Sequence, residues 1–443
     1  MGTRGIFGRT FKEVDMKRAL LLLALLLLIP VLCLSAADKK KIVFWYPAGE
    51  ITATSMPFRD GSNPWAKFEA DNNCQVEVVA IDYDTMQQKL FTALAGGKAP
   101  DIAMIDFSWM GGFIKDGALA QIPDADAKAW MSSVSPETVA ISDWGGGKMY
   151  GFSTWGVDAY ALTWNKQMFK EAGLDPNTAP KYWSDFRTAS KKTAVADSTG
   201  KLTRVGYAMR HLGQPHGIVD KWHWLLVGAG MQLNTDQFAL KGGKARIDLP
   251  DVRDGLQMAH DMVWVDKSSS LDFPDPRQAL LSKIASMQIS ELVSIQVRAP
   301  KEAPDLDWGF APPPAMRPGV NPKVQVAAWN YSVFTQSKSV ALALKAVAWI
   351  NNKDNDYNQA RKYDSTPRYK DNWAREPFAS APNTKAFLEL LKYGTTYPRS
   401  LALNGILDAV GAAVPKVLHN EATVADALTT ADQQANDAIK ALQ

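Results

Sequence analysis

Short apolar runs alternate with stretches of helical periodicity through the first quarter of the chain. Lys41 to Trp45, KIVFW, follows a charged patch and reads as a strand; Val76 to Ile81 reads as a second, and the amphipathic stretch Asn63 to Asp71 between them reads as a helix. Tyr83 to Leu94 places apolar residues at helical spacing, and Gly96-Gly97 ends it before a third buried strand, Pro100 to Ile105. Strands alternating with helices predict an α/β fold whose mostly parallel sheet is covered on both faces.

The pattern resumes later. Asp185 to Lys192 and Val252 to Val265 read as helices, with Pro250 and Asp251 placed to open the second. Val324 to Phe334 is strand-like, and Leu342 to Asn351, Thr384 to Leu391, Leu401 to Val414 and Val424 to Leu442 are helical. Between them Pro312-Pro313-Pro314 and Pro318-Gly319 form an irregular stretch expected to carry the chain from one lobe to the other. No internal repeat is visible. About 400 residues exceed what one core normally holds, so two lobes are expected.

The N-terminus sets the compartment. Lys17 and Arg18 precede an apolar run from Ala19 to Leu34, too short for a stable membrane span, and Ser35-Ala36-Ala37 supplies small residues for cleavage before Asp38. Residues 1–37 therefore read as a secretory signal, with lipid attachment at Cys33 as a second reading. Removing them deletes five basic and two acidic side chains and takes the formal charge from +3 to zero, so no nucleic-acid partner is implied. Only Cys74 remains, which excludes an internal disulfide.

Enzyme signatures are sparse. The five histidines form no HExxH pattern, and His211, His216 and His223 sit in a Gly/Pro-punctuated stretch that reads as a loop. Gly145-Gly146-Gly147-Lys148 and Gly242-Gly243-Lys244 lack phosphate-loop spacing and read as turns. There is no GxSxG elbow and no marked acid/base pair. Neither catalytic residues, a metal site nor a cofactor is expected.

Several ordered motifs then coincide. Ile42-Val43-Phe44-Trp45 follows the leader, Gly97-Lys98-Ala99-Pro100-Asp101-Ile102 precedes Phe113 to Leu119, and Tyr150-Gly151-Phe152 leads to Leu162-Thr163-Trp164-Asn165-Lys166. Phe169 to Leu174, Tyr182 to Phe186, Trp308 to Ala311 and Ser365-Thr366-Pro367 complete the series. In order and spacing the chain resembles the maltose-binding-protein-like extracellular solute-binding proteins (family 1) of bacterial ABC sugar importers. It departs from them at Met287 to Glu291, where many relatives have a Gly-x-Trp. The resemblance implies a two-lobe periplasmic-binding-protein fold of type II, each lobe a mostly parallel sheet flanked by helices, with the ligand cleft between them. It also implies the boundaries 38–152 plus 308–352 for the first lobe and 153–307 plus 353–443 for the second; composition alone does not give them.

The implied function is capture of a mono- or short oligosaccharide, or a polyol, by interlobe closure and delivery to an ABC permease. The chain would be a monomer, periplasmic or on the extracellular face of the cytoplasmic membrane. A secreted carbohydrate-active enzyme and a ligand-binding sensor module remain as alternatives. Sugars offer apolar C–H faces and hydroxyl edges, and so call for flat rings beside carboxylates and amides; the chain has 15 Trp. The expected contacts are Trp45 and Glu50 after the first strand; Asp106, Ser108 and Trp109 after the third; and Trp155 and Asp158 at the first crossing. In the second lobe they are Trp222 and Trp224, which strand alternation would turn the same way, away from His223, and Glu291; Trp329 follows on a later strand of the first lobe. Arg368 is the last, although a surface ion pair also accounts for it.

Overall fold

The computed structural model describes residues 39–48, 63–154, 158–228, 244–273, 275–362, 365–397 and 399–441, with backbone alone at 158, 227 and 228. The expected signal segment, Cys33, Glu50, Trp155 and the turn at Gly242-Gly243 lie outside these residues. The strands are β1 (Lys40–Ala48), β2 (Cys74–Asp82), β3 (Ile102–Asp106), β4 (Phe152–Ser153), β5 (Asp158–Asn165), β6 (Val195–Ala196), β7 (Leu202–Tyr207), β8 (Ala285–Glu291), β9 (Trp308–Ala311), β10 (Val324–Ala327), β11 (Trp329–Val333) and β12 (Gly394–Thr395). They form two sheets. One has the order β2-β1-β3-β11-β4; the other runs β12-β10-β5-β8-β7-β6, with β9 also paired to β5.

In the first sheet β1 lies parallel to both β2 and β3, while β11 returns antiparallel to β3. Helices Ala66–Asn72 and Tyr83–Ala95 connect the parallel strands, as their amphipathic spacing predicts. Ile42, Phe44, Ile102, Met104 and Tyr331 are fully buried in its core with Trp65 and Phe68. In the second sheet β7 and β8 are parallel, as are β10 and β12, but β5 runs antiparallel to β8, β9 and β10. The chain enters β5 from the other sheet, so no helical crossover fixes its direction.

The second core gathers Leu162, Phe186, Tyr207, Trp224, Leu256 and Met287 with apolar residues of the helices Leu403–Leu418 and Val424–Lys440. Helix Pro250–Trp264 shows why such elements were readable: Pro250 occupies its first turn, and Val252, Leu256, Ala259 and Met262 form one buried stripe.

Three expectations change. The strand expected over Val324 to Phe334 is two strands in different sheets, because the chain passes between units at Ala328. Residues 308–327 belong to the second unit, since β9 and β10 both pair with β5; this moves the crossing about 20 residues later than the resemblance implied. The proline run is no connector either. Ala315 bridges to Tyr182, and the Trp183 indole donates to the Pro314 carbonyl at 3.1 Å, so the run docks within the second unit.

Candidate functional site

Register and capping place the first wall of the cleft. β3 ends at Asp106, whose carboxylate caps the helix Phe107–Lys115 by accepting from the Ser108 amide at 2.8 Å and the Ser108 hydroxyl at 2.6 Å. That cap fixes the first turn, which carries Trp109. Trp329, opening β11, is the register partner of Asp106. Tyr83 opens the helix that follows β2. The three rings meet: Trp109 lies edge-on to Trp329 at 5.2 Å and 83°, and Tyr83 lies 6.1 Å from Trp329 and 6.4 Å from Trp109.

The second wall is built mainly on the helix Pro215–Gly228. His216, Asp220 and His223 recur at i, i+4 and i+7, which puts them on one helical face. The His216 ring stands 5.3 Å from Trp109, and its Nε2 is 2.8 Å from the Tyr83 hydroxyl, closing a hydrogen bond across the seam. Asp220 accepts from the Tyr397 hydroxyl at 2.9 Å, from Gln325 Nε2 at 3.2 Å and from the Tyr160 hydroxyl at 3.3 Å. The His223 ring packs 5.8 Å from Tyr160 and 5.7 Å from Tyr397. Glu291, at the end of β8, binds Lys221 directly and lies 3.6 Å from Arg277.

Enclosure sets the protonation states. Burial, together with the facing Asp220 carboxylate, pushes Asp106 up to about 7 against its Ser108 hydrogen bonds. Burial, reinforced by Lys221 and Arg210, lowers His216 to about 3, and burial lowers His223 to about 4, so both rings are neutral at pH 7. Burial pushes the Tyr83 phenol well above its usual range. Burial also opposes ionisation of Glu291, but Lys221 and Arg277 outweigh it and hold the carboxyl well below the ordinary range.

Some polar atoms stay unsatisfied. Trp109 Nε1, His223 Nε2 and Gln325 Oε1 are buried and have no hydrogen-bond partner among the described residues. In a folded interior such atoms are costly, by about 1–3 kcal/mol each, and here they leave hydrogen-bonding capacity at the seam.

The structure thus brings Asp106, Ser108, Trp109, Trp329 and Glu291 to the seam. Trp45 lies within β1, paired to Val79 and Ala103, and not in a following loop as expected. For Asp158 only the backbone is described, paired with Ala327 at the crossing. The reading of Trp222 and Trp224 fails because this segment is helical, which removes strand alternation. The Trp222 indole donates to the Arg210 carbonyl at 2.5 Å, and Trp224 packs edge-on against Trp183, Phe186 and Tyr207 in the second core. It is His223, expected to face away, that shares a helical face with His216 and Asp220.

Arg368 is neither a surface ion pair nor a free donor. It is fully buried against Asp356 at 2.9 Å and also binds the Ser153 carbonyl and Asn351. His211 pairs with His419 and does not converge with His216 and His223. No metal-binding cluster occurs among the described residues. Tyr83, Arg210, His216, Asp220, Lys221 and Gln325 were not singled out as contacts from sequence; the i, i+4, i+7 recurrence of His216, Asp220 and His223 was the available signal.

Comparison with known proteins follows this geometry. A chain from Thermotoga lettingae, an ABC transporter solute-binding protein bound to alpha-D-tagatose, superposes with a TM-score of 0.77 at 22% identity, covering 90% of this chain and 100% of that one. The diacetylchitobiose binding protein of Streptomyces coelicolor is 31% identical over 146 residues, 30% of this chain and 33% of that protein, so the match spans about a third of that relative's length. The probable amino-acid ABC transporter periplasmic-binding protein of Sinorhizobium fredii is 24% identical over 315 residues, 69% of this chain and 68% of the relative. The sheet orders and the superposition establish the two-lobe periplasmic-binding-protein fold. With a family match spanning residues 60–357, the chain belongs to the bacterial extracellular solute-binding proteins.

Proposed function

We propose that this protein captures a carbohydrate between its two units and delivers it to the permease of an ABC importer, without transforming it. The observation that carries the reading is the composition of the seam. Three aromatic rings of the first unit, Tyr83, Trp109 and Trp329, meet one another, and two of them, Tyr83 and Trp109, meet His216 of the second, on the helix that also carries Asp220 and His223; Trp109 Nε1, His223 Nε2 and Gln325 Oε1 have no partner among the described residues. Rings match the C–H faces of a sugar and the polar atoms match its hydroxyl edges. Neutral His216 and His223 suit an uncharged guest.

Closure follows from differential affinity. Contacts that exist only when both walls are together make the ligand favour the closed arrangement, which the permease then reads. Two of the relatives compared are named for carbohydrates and one for amino acids. The cleft favours the former, because its cations Lys221 and Arg277 are already paired with the carboxylates of Glu291 and Asp275. The protein acts as a monomer outside the cytoplasmic membrane; no helix among the described residues is long and apolar enough to cross one.

Thermal-shift and calorimetric screening of the mature chain tests this, with tagatose, diacetylchitobiose, maltose, ribitol and free amino acids as probes. A carbohydrate should raise the melting temperature and be recovered intact by chromatography. Stabilisation by amino acids alone would overturn the sugar reading, and turnover of the carbohydrate would favour an enzyme.

A further inference from the structure

Beside the aromatic seam lies an interunit cavity of about 490 Å³, a volume within the range of small-molecule pockets. One side is the helix Tyr83–Ala95, through Asp84, Gln87 and Gln88. The facing side is the helix Leu403–Leu418, through Asp408 and Ala412, with Gln434 from the last helix and Gln214 from the segment before Pro215. The groove adjoins the seam directly: Asp84 follows Tyr83 in sequence, and Gln214 donates to the Tyr83 carbonyl at 2.8 Å. Tyr83 is in turn hydrogen-bonded through its hydroxyl to His216 across the seam.

The lining has a definite chemistry. Four carboxamides and two carboxylates supply donors and acceptors in comparable number, and no lysine or arginine contributes. The floor is made of Pro215, Ala409 and Ala412, small enough for a ring to lie close. Both walls are already linked at its edge, since Gln87 donates to Asn404 at 2.8 Å and Asn404 donates to Asp408 at 2.9 Å. Burial pushes the Asp408 carboxyl up to about 6, so it can change between acceptor and donor near neutrality.

We infer that this groove is an outer subsite for the hydroxyl edges of further sugar units, so that the ligand is an oligosaccharide whose inner unit meets the aromatic rings. This rests on the carbohydrate reading of the seam and adds chain length to it. The absence of aromatic platforms in the groove means that each outer unit is held by hydrogen bonds alone. Its increment is correspondingly modest, about tenfold in affinity.

Isothermal titration with maltose through maltotetraose, and with the dimer through tetramer of N-acetylglucosamine, measures that increment. The expected result is an affinity that rises about tenfold in one series when the chain becomes long enough to enter the groove. Ala412→Leu, which narrows the groove, and Gln88→Ala, which removes one amide, should each cancel the rise while melting temperatures stay within a degree or two of the parent. Equal affinity at every length, or an undiminished rise in both variants, would overturn the inference while leaving the seam intact. Failure of every length to bind would instead reject the carbohydrate reading and this inference with it.

Discussion

Two buried polar networks in this molecule differ in how completely they are satisfied. Around Arg368, at the first unit's side of the crossing, the guanidinium binds Asp356, Asn351 and the Ser153 carbonyl, while Asp356 also accepts from the Arg368 and Tyr369 amides and from Asn372. Around Asp220, at the seam, the carboxylate is well bonded but its neighbours His223 and Gln325 keep atoms with no partner among the described residues. A saturated network holds segments in place. One with remaining capacity, formed by groups from several elements and facing a second set of rings, is suited to a guest.

The comparison can be broken most forcefully at Arg368. Arg368→Met leaves the Asp356 carboxylate buried without its cation and should reduce stability by about 3–5 kcal/mol, read by urea unfolding. Ligand affinity of the folded fraction should not change; a large loss of affinity with unchanged stability would mean the two networks have been assigned the wrong roles. Trp109→Ala should do the opposite. Loss of one buried platform is expected to cost about 2 kcal/mol of binding, roughly thirtyfold in Kd by calorimetry. Unchanged affinity would remove Trp109 from the cleft chemistry.

His223→Phe keeps a ring between Tyr160 and Tyr397 but deletes Nε2. About 1 kcal/mol of binding, or roughly fivefold in Kd, should go with it if that nitrogen serves the ligand. The remaining test concerns pH and Asp106. Its carboxyl is raised to about 7 in the folded protein, so the stability it contributes is fully present below pH 4 and is lost as pH rises towards 7. Asp106→Asn preserves a good helix cap, and should raise the melting temperature at pH 8 relative to the parent while giving no gain at pH 4. A pH-independent difference would show that burial and the facing Asp220 do not raise Asp106.

What could be read from the sequence depended on whether an element faces water. Helix Pro250–Trp264 has one buried and one exposed side, so its apolar residues recur with the helical period. Helix Pro215–Gly228 is enclosed from His216 to Leu226, so even its polar face of His216, Asp220 and His223 is turned away from water, and its opening Pro-His-Gly resembles loop punctuation. Its Trp-His-Trp then imitates a strand. That one misreading hid His216 and Asp220 and reversed the expected orientation of His223. Asp106, Ser108 and Trp109 were accessible to inspection because they end or follow a strand whose start is announced by Pro100-Asp101 and whose body is a run of apolar residues. Arg368 was misjudged for a related reason: its partner Asp356 lies 12 residues away, and nothing in the linear pattern shows that both leave solvent.

The passage between sheets at Ala328 has a mechanical consequence. β10 and β11 are each tied into a different sheet, with one residue between their ends. Here the chain has no slack, so parting the walls must be absorbed by a few backbone torsions around a narrow pivot and cannot become a sliding displacement. At this point the two units are pinned as a gate is pinned at its hinge.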